Sequence, residues 1–259
     1  MFEKEDIKFL QELLMNSWPA NHYYFINGWI LRFTEGVTFR ANSVFPLHYT
    51  GDLNELDKDI TLTEKAYQAY KLPAIFTIPE YFEPSNLVDK LLEKGYQQFG
   101  CHTHTLIAST QDLKNDIINE EFTYVIISER RKEIANFLGT FSNRDQSSQK
   151  IVDTIVNRVI FPQKRFIIAQ YKGKIVGTLL GILDPHGFLY IADVLVDPDF
   201  RRQKIAKSIF FTIINNWAVP NGVKKIWLQV EIKNIGAMNL YTKLGFKKAY
   251  SYYYLGKNV

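Results

Sequence analysis

Apolar residues recur at helical spacing through the first stretch of the chain, at Ile7, Leu10, Leu13, Leu14 and Trp18, and Pro19 stops the run. An amphipathic helix is expected there. Two β-rich runs in GWILRFTEGVTFRANSVF flank Glu35-Gly36 and predict a hairpin turning on that pair. A polar helix around residues 55–70 and a short strand, AIFTI, come next. In PSNLVDKLLEKGYQQFGCHTHTLIA, Ser85 reads as an N-cap, Leu87, Leu91 and Leu92 share one helical face, Gly95 stops the helix and a strand begins.

Residues 109–121, STQDLKNDIINEE, are polar and acidic with no apolar period, and they place a boundary between a first domain over 1–115 and a second over 116–259. The second half opens on a strand, FTYVIIS, and two helical segments, about 131–142 and 147–160. RFIIAQYKGKIVGTLLGIL predicts a hairpin at Lys172-Gly173, and FLYIADVLV a further strand. A helix is expected over 201–217, with Ile205, Ile209, Ile213 and Trp217 on one stripe. The strand KKIWLQV, the helix IGAMNLYTKL ended by Gly245, and the strand FKKAYSYYYL close the chain. Aligning Gly95 with Gly245 pairs Tyr96 with Phe246 and strand with strand, which points to two copies of one fold.

Composition narrows the classes. A chain of 259 residues, 46% hydrophobic and 22% charged, is that of a soluble globular protein with one large or two ordinary domains. The net charge of +4 is mild and the cations are scattered among 27 acids, so no nucleic-acid partner is expected. Cys101 is the only cysteine, which excludes intrachain disulfides and a cysteine-based zinc site. His102 and His104 share a strand face without an evident third ligand, so no metal is expected. Acids interrupt the N-terminal segment where a signal peptide needs an apolar run, and no stretch approaches a membrane span. A cytoplasmic protein without membrane contact is the expectation.

The chemistry concentrates in DPDFRRQKIAKSI, which puts Arg201, Arg202 and Lys204 into what reads as the first turn of a helix. Cations there oppose the helix dipole, at a cost of roughly 0.3–1 kcal/mol each. An anion bound by the turn's unpaired amides and by the two arginines would offset that cost. The alternative is a solvated helix start. The segment resembles the phosphate loop of the GNAT superfamily of N-acetyltransferases, Arg/Gln-x-x-Gly-x-Gly/Ala, matched by Arg201-Arg202-Gln203-Lys204-Ile205-Ala206 at its first and last positions. A second signature of that family, Asn-x-x-Ala-x-x-Leu-Tyr-x-x-x-Gly-Phe, is complete in NIGAMNLYTKLGF, at Asn234, Ala237, Leu240, Tyr241, Gly245 and Phe246. The likeness covers roughly residues 121–259.

The resemblance implies a mixed α/β fold of two tandem GNAT-like domains, each a mostly antiparallel twisted sheet flanked by helices. It also implies roles for the matching residues. Val194, Leu195 and Val196 would pair their backbone with the pantetheine arm of acetyl-CoA, and the amides from Arg201 to Ala206, through Arg202, Gln203, Lys204 and Ile205, would hold its pyrophosphate. Asn234 would contact the cofactor, and Tyr241 would stand near the sulfur as the acid. In many relatives a glutamate serves as base twelve residues before the tyrosine, and here that position is Gln229, which cannot accept a proton. Glu231, two residues on, and Asp193 on the neighbouring strand are the other candidates, unless a water relay or an amine arriving neutral needs neither. Lys204 stands where the family has its first glycine, and it is compatible with binding if its φ is helical.

WILRFTEGVTFRANSV resembles the amino-terminal, degenerate half of two-part GNAT proteins. Aligned on glycine, Leu91 faces Tyr241 and cannot donate a proton, and PLHYTGDLNELDKD is too acidic for a phosphate cradle. The first half is expected to support the fold and shape the acceptor site without binding CoA. Tyr250, Tyr252 and Tyr254 share one strand face and either line an acceptor pocket or pack the sheet. The implied activity is acetyl transfer from acetyl-CoA to a primary amine of a small molecule or peptide. An aminoacyl transferase of the same fold and a CoA-responsive regulatory module without chemistry are the alternatives.

Overall fold

A computed structural model describes residues 3–113, 118–142, 144–159, 161 and 163–258. In chain order the elements are α1 (Lys4–Ser17), β1 (His22–Ile26), β2 (Trp29–Phe33), β3 (Val44–Phe45), α2 (Leu56–Ala69), β4 (Ala74–Pro79), α3 (Leu87–Glu93) and β5 (Gln97–Ser109). Then come β6 (Thr123–Ile127), α4 (Lys132–Phe141), α5 (Gln146–Arg158), β7 (Gln163–Tyr171), β8 (Lys174–Asp184), β9 (Phe188–Val196), α6 (Ile205–Ile213), β10 (Lys225–Glu231), α7 (Ile235–Leu244) and β11 (Lys247–Lys257).

They form two compact units, each a mostly antiparallel sheet flanked by helices. The first unit comprises Met1–Thr105, Val230–Ile235 and Lys248–Val259, and the second Leu106–Gln229 and Gly236–Lys247. The expected domain boundary at 115/116 lies outside the described residues. The closing strand, assigned from sequence to the second half, belongs to the first unit. There β11 pairs antiparallel with β4, from Tyr252↔Pro79 to Lys257↔Ala74, and Leu255 joins the core around Trp29, Tyr67 and Phe76.

Within the first unit the strand order is β1-β2-β3-β4-β11-β5. The first hairpin turns at Asn27-Gly28 and not at Glu35-Gly36. Both residues of that pair are left-handed, with φ of 43° and 89°, as a two-residue turn between twisted strands requires. Four of the five β1 residues are exposed, so no apolar alternation marked the strand. The run Phe39–Ala41 is instead a 3-10 turn, and β2 meets β3 at Ile30↔Phe45 and Leu31↔Val44. Asn86, not Ser85, precedes α3 as its N-cap.

In the second unit β6, β7, β8 and β9 form an antiparallel meander, and β10 adds parallel to β9. The β7–β8 turn at Lys172-Gly173 has φ of 48° and 78°, as the hairpin expectation required. α6 is buried along Ile205, Ile209 and Ile213, and its stripe continues through Trp217 in the wider helical segment Ile214–Ala218. The helix begins at Ile205, four residues later than expected.

Candidate functional site

The site starts where β9 and β10 part. Their parallel register runs from Lys225↔Phe188 to Leu228↔Ile191 and no further. On the other edge β9 keeps its β8 partner out to Gly177↔Val196, through a bulge in which Thr178 faces Leu195 and Leu180 faces Ala192. Asp193, inside the bulge, is left-handed with φ of 48°. Val194, Leu195 and Val196 therefore extend beyond the β10 pairing, and they offer a half-buried backbone edge to an extended ligand.

A closed ring of polar side chains pins the bulge. Asp193 Oδ2 accepts from Arg130 at 3.4 Å and Oδ1 from Arg144 at 3.2 Å. Arg130 also meets Asp153 at 2.6 Å, Gln149 donates to Asp153 at 2.6 Å, and Arg144 donates to Gln149 at 3.5 Å. The side chains of Asp193 and Arg130 are only 6% and 2% exposed. Both carboxylate oxygens of Asp193 are thus taken by guanidinium groups, and the sequence-based candidacy of Asp193 as base gives way to a structural role. Its partners lie 49 and 63 residues earlier in the chain, beyond the reach of any local pattern.

Glu231, the other candidate, ends β10 in an exposed position and pairs with Lys233 at 3.4 Å. Gln229 is the first β10 residue past the shared register with β9, and both polar atoms of its carboxamide are buried without a hydrogen-bond partner. Such atoms each lose roughly 1–3 kcal/mol relative to water. Asn234 immediately precedes α7, and its amide donates to the Glu231 carbonyl at 2.9 Å.

After β9 the chain makes a 3-10 turn at Pro198–Phe200, in which the Asp197 side chain accepts from the Asp199 amide at 3.0 Å. Arg202 and Lys204 are both left-handed, with φ of 63° and 62°. Left-handed residues therefore stand on either side of Gln203. Arg201, Arg202 and Lys204 precede α6 and do not lie in its first turn. Lys204 is the N-cap and gives the first-turn amides no side-chain acceptor. Its left-handed φ corrects the helical expectation: the loop keeps the conformation that favours glycine, at a strain of roughly 1–2 kcal/mol for a residue with a Cβ.

Asn119 secures this loop, a residue that sequence reasoning passed over inside the polar boundary stretch. Its side chain donates to the Gln203 carbonyl at 3.1 Å, and its amide donates to the Ser208 hydroxyl at 3.0 Å. A cavity of about 490 Å³ opens beside the loop, lined also by Gly236, Asn239 and Leu240 of α7. Its lining includes Arg201, Arg202, Lys204, Lys207 and Lys243, and no acid. That charge pattern, with uncapped amides at a helix start, fits a polyphosphate.

Tyr241 is 6% exposed on α7 and packs edge-on against Phe246, with ring centroids 5.6 Å apart. Burial, aided by Tyr190, pushes its phenol well above the ordinary range, so at neutral pH it keeps its proton. Tyr250, Tyr252 and Tyr254 are buried in the first unit, where Tyr250 accepts from Gln11 at 2.9 Å and Tyr252 meets Tyr254 edge-on at 5.5 Å. They pack the sheet there.

Comparison with known proteins agrees with this geometry. Residues 129–246 match the family model "Acetyltransferase (GNAT) family", and residues 5–115 match "Probable histone acetyltransferase Rv0428c C-terminal". The chain is 30% identical to "Uncharacterized N-acetyltransferase YobR" of Bacillus subtilis, over 96% of this chain and 98% of that one. It therefore belongs to the GNAT acetyltransferase family, whose members use acetyl-CoA. Among solved structures, a GCN5-related N-acetyltransferase from Kribbella flavida superposes with a TM-score of 0.70 at 16% identity, covering 97% of this chain and 95% of that one. A tandem GNAT protein from the clavulanic acid biosynthesis pathway shares the fold with a TM-score of 0.58 at 9% identity, over 77% of this chain and 68% of that one.

Proposed function

We propose that this chain transfers an acetyl group from acetyl-CoA to a primary amine, and that the chemistry resides in the second unit. The observation that carries the reading is the pairing of two features there. One is a basic, uncapped loop and cavity; the other is a strand edge left open where β9 and β10 part.

Acetyl-CoA, when bound, supplies the activated acetyl thioester. Arg201, Arg202 and Lys204 hold the pyrophosphate together with the amides that open α6. The main chain of Val194–Val196 holds the extended arm. Tyr241, protonated because it is buried, donates to the departing sulfur. A retained proton donor favours an enzyme over a regulatory module. The first unit, without a basic loop and with Leu91 at the place of Tyr241, supports the fold and binds no CoA.

Thermal unfolding with and without acetyl-CoA tests the reading. At about 100 times its dissociation constant the ligand adds roughly 2.7 kcal/mol of stability. Absence of any stabilisation overturns the cofactor claim. Thiol release with a set of amines then tests the transfer itself.

A further inference from the structure

Among the described residues, the carboxylates on β9 and β10 where the two strands part are both engaged. Asp193, in the bulge, has both oxygens on guanidinium groups, and Glu231 is exposed at the strand's end and paired with Lys233. Gln229 is the first β10 residue beyond the shared register, and its buried carboxamide has a donor and an acceptor unmatched. A carboxamide accepts a hydrogen bond from an amine N–H but cannot remove a proton from an ammonium.

We propose that the acceptor is an amine of low pKa, the α-amino group of a peptide N-terminus, which enters already neutral and is oriented by Gln229 as a positioning residue. The proposal rests on the acetyl-transfer reading above. The step balances without an enzyme carboxylate. The amine nitrogen forms a bond to the thioester carbonyl carbon, the carbon–sulfur bond breaks, and Tyr241 gives its proton to the sulfur. The proton shed by nitrogen restores Tyr241, so the products are the amide and the free thiol. At pH 7.5 about a third of α-amino groups of pKa near 7.8 are neutral, against about 0.1% of lysine ε-amines of pKa near 10.4. That difference in supply is nearly three hundredfold.

The experiment measures kcat/KM for the amine at saturating acetyl-CoA, with a dipeptide α-amine and with an α-blocked lysine, each from pH 6 to 10. The titratable groups carried by the strands and helix concerned are Tyr190 and Asp193 on β9, Lys225 and Glu231 on β10, Tyr241 and Lys243 on α7, and Cys101, His102 and His104 on β5. The expected result is an activity that rises with unit slope to the pKa of whichever amine is used, with the dipeptide favoured about 100-fold at pH 7.5. Gln229→Glu should add a proton acceptor, move the rise to lower pH and narrow the preference. Gln229→Ala should raise KM for the amine while the rise stays in place.

A rise at one fixed pH for both amines overturns the proposal, and so does a rise that Glu231→Gln or His104→Gln displaces. Stabilisation by acetyl-CoA with no thiol release from any amine overturns this proposal and the transfer, and leaves cofactor binding standing. Loss of stabilisation as well overturns both readings.

Discussion

In both units a short turn leads from a strand into a helix, from β3 into α2 in the first and from β9 into α6 in the second, and the two turns carry opposite charge. In the first, the Asp52 side chain accepts from the Asn54 amide at 2.9 Å, and Asp57 and Asp59 occupy the first turn of α2. Asp59, 4% exposed, accepts from the Asn27 side chain and the Tyr49 hydroxyl, both at 2.7 Å. The chain's own carboxylates fill the place where a helix N-terminus attracts an anion. In the second, a lysine is the N-cap and the nearby cavity is lined by five cations and no acid.

The helix ends make the same point about the donor. Tyr96 N donates to Leu91 O, and Phe246 N donates to Tyr241 O, each at 3.0 Å, and each bond spans a left-handed glycine, Gly95 at φ 82° and Gly245 at 104°. The backbone device is common to both units. The side chain at its start differs, leucine in one and tyrosine in the other, so the backbone device does not depend on a phenol at that position.

The strongest test of this contrast removes the donor. Tyr241→Phe should lower kcat by about 100-fold or more in a thiol-release assay, the usual scale for general acid catalysis, while acetyl-CoA stabilises the variant as before. Next comes the loop. Arg201→Ala with Arg202→Ala should weaken acetyl-CoA binding by about 10- to 100-fold in titration calorimetry, because charged hydrogen bonds contribute roughly 1.5–3 kcal/mol.

Smaller effects bear on conformation. Lys204→Val should cost about 1–2 kcal/mol in denaturant melts, since a β-branched residue suits φ of 62° poorly, whereas Lys204→Gly should be neutral or slightly stabilising. In the first unit, Asp52→Ala should cost about 1 kcal/mol as a lost cap and leave acetyl-CoA affinity unchanged.

The mildest effect is a pH dependence in the first unit. Burial alone would raise the Glu83 carboxyl, but hydrogen bonds from Tyr81, the Tyr49 amide and Lys4 win and hold it at about 2. A depressed folded pKa gives stability that is full above the ordinary value of 4.5 and is lost as pH falls toward 2. Between pH 4.5 and 2, stability should therefore fall less steeply in Glu83→Gln than in the native chain, a difference readable by acid titration of tryptophan fluorescence.

Local patterns determined most of the element order and the chemistry-bearing motifs. Apolar periodicity marked α1 and the α6 stripe, Lys172-Gly173 marked its hairpin, and NIGAMNLYTKLGF marked α7 together with its buried tyrosine. These features depend on residues within a turn or two of each other, so a linear reading suffices. Tertiary structure alone decided that β11 pairs with β4, that β10 leaves β9 after Leu228, that Asp193 is held between Arg130 and Arg144, and that the Gln229 carboxamide lacks partners. It also set Lys204 in a left-handed conformation that its side chain does not ask for. Strand edges, buried ion pairs and strained dihedrals are settled by groups distant in the chain, because the free energy that holds them comes from contacts formed only once the sheets and helices have packed.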